Sequence, residues 1–254
     1  MTKPTLNIVK VGGAVVEDPQ SLDALLSRFA AINGPKALVH GGGRAATRIA
    51  SQLGIETRMV EGRRVTDEPM LDVVTMVYGG LVNKNIVAKL QAAGVNALGL
   101  TGADLGYMIS DKRPVKTVDY GWVGDVREVN ADILADLVGR GVVPVLAPLT
   151  CDGRGHLLNT NADTIASQAA QAFAKHFDVT LTFCFEMPGV MDGDKVISRI
   201  DRETFQALKA SGVVSGGMIP KLDNSFDAIA GGVSRVVITN TETLGTEDSG
   251  TVIE

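Results

Sequence analysis

Short unbroken apolar runs alternate along this chain with segments whose apolar residues recur every three to four positions, and glycines mark most of the switches. Residues 6–11 form the first run, which ends at Gly12-Gly13. Asp18 then caps a helix with Pro19 at its first position. Leu22, Leu25, Leu26, Phe29 and Ile32 make its inner face, and Gly34-Pro35 closes it. Ala37, Leu38 and Val39 are a second run, halted by Gly41-Gly42-Gly43. Ala45, Ala46, Ile49, Ala50 and Leu53 then fall on one helical face up to Gly54. The opening is β-α-β-α, the pattern of a mainly parallel central sheet covered by helices on both faces.

The remainder keeps this alternation with one departure. Thr66-Asp67 and Pro69 lead into a long helical region ending near Gly94. Gly79-Gly80 interrupt it, a small pair suited to close helix contact, including contact across a subunit interface. Residues 95–100 read as a strand. From Tyr107 to Val129 the spacing shifts towards alternation, with Gly121-Trp122-Val123-Gly124 as a turn, which predicts hairpins over one end of the sheet. Asn130 caps a helix over 131–140, and 142–149 is a continuous apolar run expected as a central strand. A polar loop at 150–156 precedes Asn159-Thr160-Asn161-Ala162-Asp163 and a helix running to about Phe177. A strand at 179–185, a loop at Met187-Pro188-Gly189, a helix over 202–210 capped by Asp201, a helix opened by residues 215–221 and a strand at 234–239 complete the pattern. A second βα series begins near Asp178. It divides one continuous fold into an N-lobe, residues 1–178, and a C-lobe, residues 179–254.

The unit at residues 36–53 carries the first hint of chemistry. Strand, glycine turn and helix present bare backbone N–H groups and the positive end of a helix to an anion, and glycine removes the Cβ that would obstruct it. A tight turn without a ligand has the same local pattern, so the choice rests on what else converges there.

Composition narrows the choice. A 254-residue chain that is 45% hydrophobic buries a substantial core. A net charge of −5 without any basic run argues against nucleic acid as the main partner, so an anionic substrate must be met by locally placed cations. There is no signal-peptide core and no apolar stretch long enough to span a membrane, which predicts a cytoplasmic protein with no membrane partner. Cys151 and Cys184 have no metal-type spacing and only His40, His156 and His176 to join them. They read as reduced thiols, and no metal site is expected from side chains.

Two lysines accompany the glycine turns: Lys10 just before Gly12-Gly13, and Lys221 shortly after Gly216-Gly217. A lysine is a compact charge that suits a phosphate oxygen. Taken alone, each reads as a solvated surface charge. Lys10, however, ends a buried-type strand, where an unpaired ammonium is costly and calls for an anionic partner.

Lys10-Val-Gly-Gly, His40-Gly-Gly-Gly, Gly62-Arg-Arg-Val-Thr-Asp, Asn159-Thr-Asn-Ala-Asp and Gly216-Gly-Met-Ile-Pro-Lys occur in an order that resembles the amino-acid kinase family, and within it the N-acetylglutamate kinases. The likeness runs from about Leu6 to Ile253 and includes the Gly121-Trp-Val-Gly-Asp hairpin. It implies a three-layer αβα sandwich and transfer of a phosphoryl group from ATP, with Mg²⁺, to the γ-carboxylate of N-acetyl-L-glutamate, the second step of arginine biosynthesis. By the same resemblance, Lys10 and Lys221 neutralise the phosphoryl group in flight and Asp163 orients them. Gly13, Gly42 and Gly43 donate backbone N–H groups, and Arg64, helped by Asn159, grips the α-carboxylate. The nucleotide falls on Gly12, Gly13 and the segments 186–191 and 213–218, with Glu186, Gly189, Gly216, Gly217 and Met218 as its contacts. A carboxylate acceptor is ionised at pH 7 and needs no general base, so His40 is expected to pack or hydrogen-bond at its strand end. Asp104 is expected to cap a turn. Of Arg63 and Arg64 only one readily faces the pocket, and Trp122 belongs to core or interface.

Phe185-Glu186-Met187-Pro188 departs from the Ser- or Thr-Asp-Val type sequence usual in these kinases, which leaves N-succinyl-L-glutamate as an alternative acceptor. The short lead into the first strand resembles arginine-insensitive homodimeric members. Two other classes remain open. A non-catalytic nucleotide sensor on the same fold would not need both lysines and Asp163. A dinucleotide oxidoreductase would use residues 41–46 as G-x-G-x-x-A with Glu61 downstream, but leaves Lys10, Lys221 and 159–163 without a role.

Overall fold

Successive residues of a buried strand point to opposite faces, and this parity sorts the whole molecule. The computed structural model describes residues 3–246 and 249–254. The chain begins β1 (Thr5–Val11), α1 (Gly13–Glu17), α2 (Pro19–Ala31), β2 (Lys36–His40) and α3 (Gly43–Gln52). A small hairpin, β3 (Met59–Val60) and β4 (Arg63–Arg64), leads to α4 (Glu68–Val74), a π-wound stretch at Thr75–Val82 and α5 (Asn83–Ala92). Next come β5 (Ala97–Leu100), β6 (Met108–Lys112), β7 (Gly124–Val129), α6 (Ala131–Gly139), β8 (Val143–Leu146), β9 (Leu149–Cys151), β10 (Leu157–Asn159) and α7 (Ala162–Phe173). The last part holds β11 (Asp178–Phe185), the small strands β12 (Met191–Asp192), β13 (Lys195–Val196) and β14 (Arg199–Ile200), then α8 (Arg202–Ala210), α9 (Met218–Ala230), β15 (Arg235–Asn240) and β16 (Thr251–Ile253).

Eight strands form one sheet in the order β14-β16-β15-β11-β1-β2-β8-β5, parallel throughout except where β15 meets β16. Leu6 and Ile8 of β1 join Val39, Leu181, Phe183 and the inner faces of α7 and α9 in one core; Val9 and Val11 join Leu38, Val145 and residues of α2, α3 and α5 in a second core on the other face. This is the three-layer αβα sandwich. Asp18 caps α2 and Pro19 starts it, while Asn130 and Asp201 accept the cap hydrogen bonds of α6 and α8, as their positions before apolar-periodic segments predict.

Four elements differ from the expected pattern. The run 142–149 is two strands: β8 ends at Leu146, and Ala147-Pro148 carries the chain out of the main sheet so that β9 joins β10, β6 and β7 in a four-stranded sheet. Pro148 cannot donate to a ladder and stands at the exit from the main sheet, whereas Pro144 is accommodated inside β8 opposite Leu98. The helix expected to reach Phe177 stops at Phe173 and finishes in a turn. Gly79-Gly80 do not break their helix; they lie in its π-wound stretch, where Gly79 backs onto Thr101 and Leu149 and Gly80 faces open space.

Gly121 and Trp122 do not make a tight turn. They dock against Thr66, whose N–H donates to the Tyr120 carbonyl at 2.9 Å and whose carbonyl accepts from Trp122 N–H at 2.7 Å. Gly121 has φ +71°, and a Cβ there would collide with the Thr66 carbonyl. Gly121→Ala is therefore expected to cost about 2 kcal/mol or more, a fall in Tm of roughly 4–8 °C, read by calorimetry. A fall of under about 1 °C would mean that this docking does not constrain the fold.

Candidate active site

The carboxyl ends of β1, β2 and β11 open on one side of the sheet, and the chain leaves β1 towards β2 on one flank and returns to β11 on the other. Parallel α/β sheets bind ligands at such switch points. A cavity of about 660 Å³ lies there, lined by Lys10, Gly12, Gly13, Gly41–Gly43, Arg64, Asn159, Phe185, Glu186 and Lys221 among others.

Parity explains the centre of the site. Lys10 shares the face of Leu6 and Ile8, so its side chain meets the N-terminal turn of α7. Asn161 caps α7 by accepting from Asp163 N–H at 2.8 Å and Thr164 N–H at 3.2 Å, which leaves the Asp163 carboxylate free to turn inward. The Lys10 ammonium sits 2.5 Å from Asp163 Oδ1, in a contact without hydrogen-bond geometry, and the Lys221 ammonium sits 3.9 Å from Asp163 Oδ2. The Lys10 side chain is only 7% exposed. Burial lowers the pKa of Lys221; the Asp163 carboxylate opposes that shift and the Lys10 charge adds to it. Two ammonium groups more than two hundred residues apart thus flank one carboxylate in one cavity, with a net positive charge left over.

The two glycine turns back onto each other: a Cβ on Gly41 would stand 3.1 Å from Gly13 N, and one on Gly13 would stand 3.8 Å from the amide nitrogens of Gly42 and Gly43. A Cβ on Gly42 would come within 2.8 Å of the Tyr78 ring. These approaches bring the start of α1 and the start of α3 to the same wall of the cavity.

Arg64 is buried, and its partners are neutral: the Gly43 carbonyl and Thr47 Oγ1 at 2.8 Å each, and Thr57 Oγ1 at 3.3 Å. A buried guanidinium without a carboxylate partner among the described residues is poised for an anion. Arg63 is exposed and reaches only the rim. Asn159 donates to Thr66 Oγ1 at 2.9 Å. Glu186 is solvent-exposed at the mouth, with Arg44 3.9 Å away. Gly189, Gly216, Gly217 and Met218 do not line the cavity. Gly189 packs against Val196 and Thr251, while Gly216, at φ +54°, turns the chain into α9 ahead of Lys221.

His40 is fully buried. Its Nδ1 is 2.7 Å from the Gly41 carbonyl and its Nε2 is 3.1 Å from Asn83 Nδ2, which also donates to the Val145 carbonyl. Burial pushes its pKa down to about 4, so the ring is neutral and ties the glycine turn to α5. Asp104 accepts from Thr101 N–H and Oγ1, the expected turn cap. Trp122 stacks on His156 at 5.2 Å, beneath the Lys112 ammonium. Tyr78, Arg113, Asp125 and Phe185 line the cavity without having been expected there. Nothing in local spacing marks them; Phe185 alone had a signal, as the last residue of a buried run.

With this geometry in place, comparison with known proteins is decisive. A model described as the amino acid kinase family matches residues 5–240. The chain belongs to the amino acid kinase family. It is 64% identical over 238 residues to a Parabacteroides distasonis protein named acetylglutamate kinase, covering 92% of this chain and 93% of the other. It is 61% identical to the acetylglutamate kinase of Phocaeicola vulgatus, covering 99% of both. A solved Streptococcus mutans structure superposes with a TM-score of 0.79 at 27% identity, over 98% of both chains. Membership of the family agrees with the mainly parallel sheet and the shared cavity. No helix among the described residues is long and apolar enough to cross a membrane.

A histidine held neutral in the fold but free to protonate when unfolded favours the native state fully above about pH 6.5 and progressively less as pH falls towards 4. The loss is on the order of 3 kcal/mol. His40→Gln is expected to flatten that part of the pH dependence, measured as denaturant midpoints between pH 7 and 4. An unchanged slope would exclude His40 as its source.

Proposed function

We propose that this chain transfers the γ-phosphoryl group of ATP to the γ-carboxylate of N-acetyl-L-glutamate, producing N-acetyl-L-glutamyl 5-phosphate for arginine biosynthesis. The observation that carries this reading is the pair of ammonium groups flanking Asp163 in one cavity. The names of the relatives support it.

The obstacle to the reaction is repulsion between a carboxylate and a triphosphate, both anionic at pH 7. In-line phosphoryl transfer is accelerated chiefly by positioning and charge compensation. Lys10 and Lys221 bring two charges to the migrating group, Asp163 sets their separation, and Gly13, Gly42 and Gly43 offer backbone N–H groups. Arg64 pairs with the α-carboxylate, and Asn159 assists from the adjacent strand end. Enzymes commonly remove about 8 kcal/mol or more from a barrier, and one well-aimed donor contributes roughly 3–4 kcal/mol. Two lysines and the backbone donors are of the right combined size. No base is required, in keeping with a buried, neutral His40.

In this reading the acyl amino acid occupies the side formed by residues 1–178 and the nucleotide the side formed by 179–254. Gly12, Gly13 and Glu186 meet the nucleotide inside the cavity, and the rest of it extends beyond the cavity towards the segments that hold Gly189, Gly216, Gly217 and Met218. Mg²⁺ enters as the companion of ATP, carried by phosphate oxygens and water; among the described residues no cluster of three acidic, histidine or cysteine side chains forms a cage for it. The setting is the cytoplasm and the assembly a homodimer. Met76, Leu81 and Leu98 expose 54%, 46% and 39% of their surface, and Leu98 lies on β5, the end strand of the large sheet. A second copy would cover these apolar groups.

The test is acceptor-dependent ADP release with ATP and Mg²⁺, with N-acetyl- and N-succinyl-L-glutamate in parallel. Release only with the succinyl compound, or with neither, overturns the assignment. Lys10→Ala and Lys221→Ala are each expected to lower kcat on the order of a hundredfold or more; near-normal turnover removes that residue from the mechanism. Arg64→Ala is expected to raise the acceptor KM by roughly tenfold or more, and an unchanged KM would sink its role.

A further inference from the structure

Phe185 occupies the end of β11 with the parity of Leu181 and Phe183, so its ring lies on the same side of the sheet as Lys10, Asp163 and Lys221. The Lys10 ammonium lies over this ring at 4.9 Å from its centroid, and the Lys221 ammonium at 4.6 Å. Both distances are within the range of a cation–π attraction, which strengthens as the cation is desolvated. The ring is itself held. It runs parallel to the fully buried Phe183 ring, 3° between planes and 6.1 Å between centroids, and a Cβ on Gly12 would stand 3.5 Å from its Cδ1.

The electrostatics of the centre make such a ring useful. Lys10 and Lys221 share a single carboxylate, so before substrates arrive one positive charge is uncompensated and the two ammonium groups repel. A second carboxylate would resolve this but would compete with the incoming phosphoryl oxygens for both lysines. An aromatic face attracts each ammonium more weakly than a carboxylate does and leaves its formal charge available. Glu186, the next residue, stands solvent-exposed near Arg44 and does not supply the missing charge.

We propose that Phe185 is a positioning residue for phosphoryl transfer: its ring face holds the ammonium groups of Lys10 and Lys221 together across Asp163. This rests on the kinase reading above. Phe185→Leu keeps an apolar side chain and removes the face; Phe185→Tyr keeps the face. The expected result is a fall in kcat of about tenfold in the leucine variant with acceptor KM changed less than about threefold, and wild-type kcat within about threefold in the tyrosine variant. Replacement of Phe185 by mono-, di- and trifluorophenylalanine keeps the shape, weakens the face stepwise, and is expected to lower kcat stepwise. Equal losses in the leucine and tyrosine variants, or no trend along the fluorinated series, would overturn the proposal.

A readout independent of turnover separates this from failure of the kinase reading. In the free wild-type enzyme the ε-methylene protons of Lys10 and Lys221, assigned with Lys→Arg variants, should be shifted upfield by the ring, and the shift should vanish in Phe185→Leu. Inactive wild-type enzyme with the ring shift present would refute the kinase assignment and leave the placement standing. Absence of the shift would refute the placement whatever the activity.

Discussion

One carboxylate between two ammonium groups is the constraint on which the rest of the molecule depends. Asp163 meets Lys10 from the first strand and Lys221 from a helix near the other end of the chain, and neither contact forms until the large sheet is assembled. The cost of burying Lys10 is offset chiefly there. Strand order, the caps of α7 and the turn into α9 can all be understood as means of delivering three side chains to one point. The two cores on either face of the sheet hold that point at the crossing where the chain reverses direction.

The surroundings of this triad are built from backbone rather than from side chains. Gly41 and Gly13 pack closely: a Cβ on Gly41 would stand 3.1 Å from the Gly13 amide nitrogen and press the two turns apart. An acidic protein, with net charge −5, in this way concentrates positive potential where it matters: Lys10, Arg64 and Lys221 line a single hollow. Arg64 illustrates the principle, since a guanidinium satisfied only by neutral oxygens keeps its charge available to a ligand.

Much of this was legible in the residues. The apolar runs and caps fixed β1, β2, α2, α3, α6 and α8 because each satisfies a local rule, and Lys10 at the end of a buried strand already demanded an anion. Other features depend on encounters that no local pattern encodes. The break at Ala147-Pro148 was hidden by unbroken hydrophobicity, and Tyr78 reads as one more apolar position of a helix until Gly42 is seen against its ring. Phe185 could be seen as a departure from the kinase pattern. That its ring lies beneath the Lys10 ammonium follows from strand register, since Lys10 pairs with Phe183, two residues before it, while α9 brings the Lys221 ammonium to the same ring.

The wide coil at Thr75–Val82 has a geometric corollary. Tyr78 touches Gly42, and Asn83, five positions later, binds His40 two residues earlier in the same turn. At 3.6 residues per turn, side chains five apart diverge by about 140° and would look in different directions. Winding with the i→i+5 pattern narrows that divergence. Two fingers of one helix can then pinch one loop, and losing a single amino acid from the coil would release one of them.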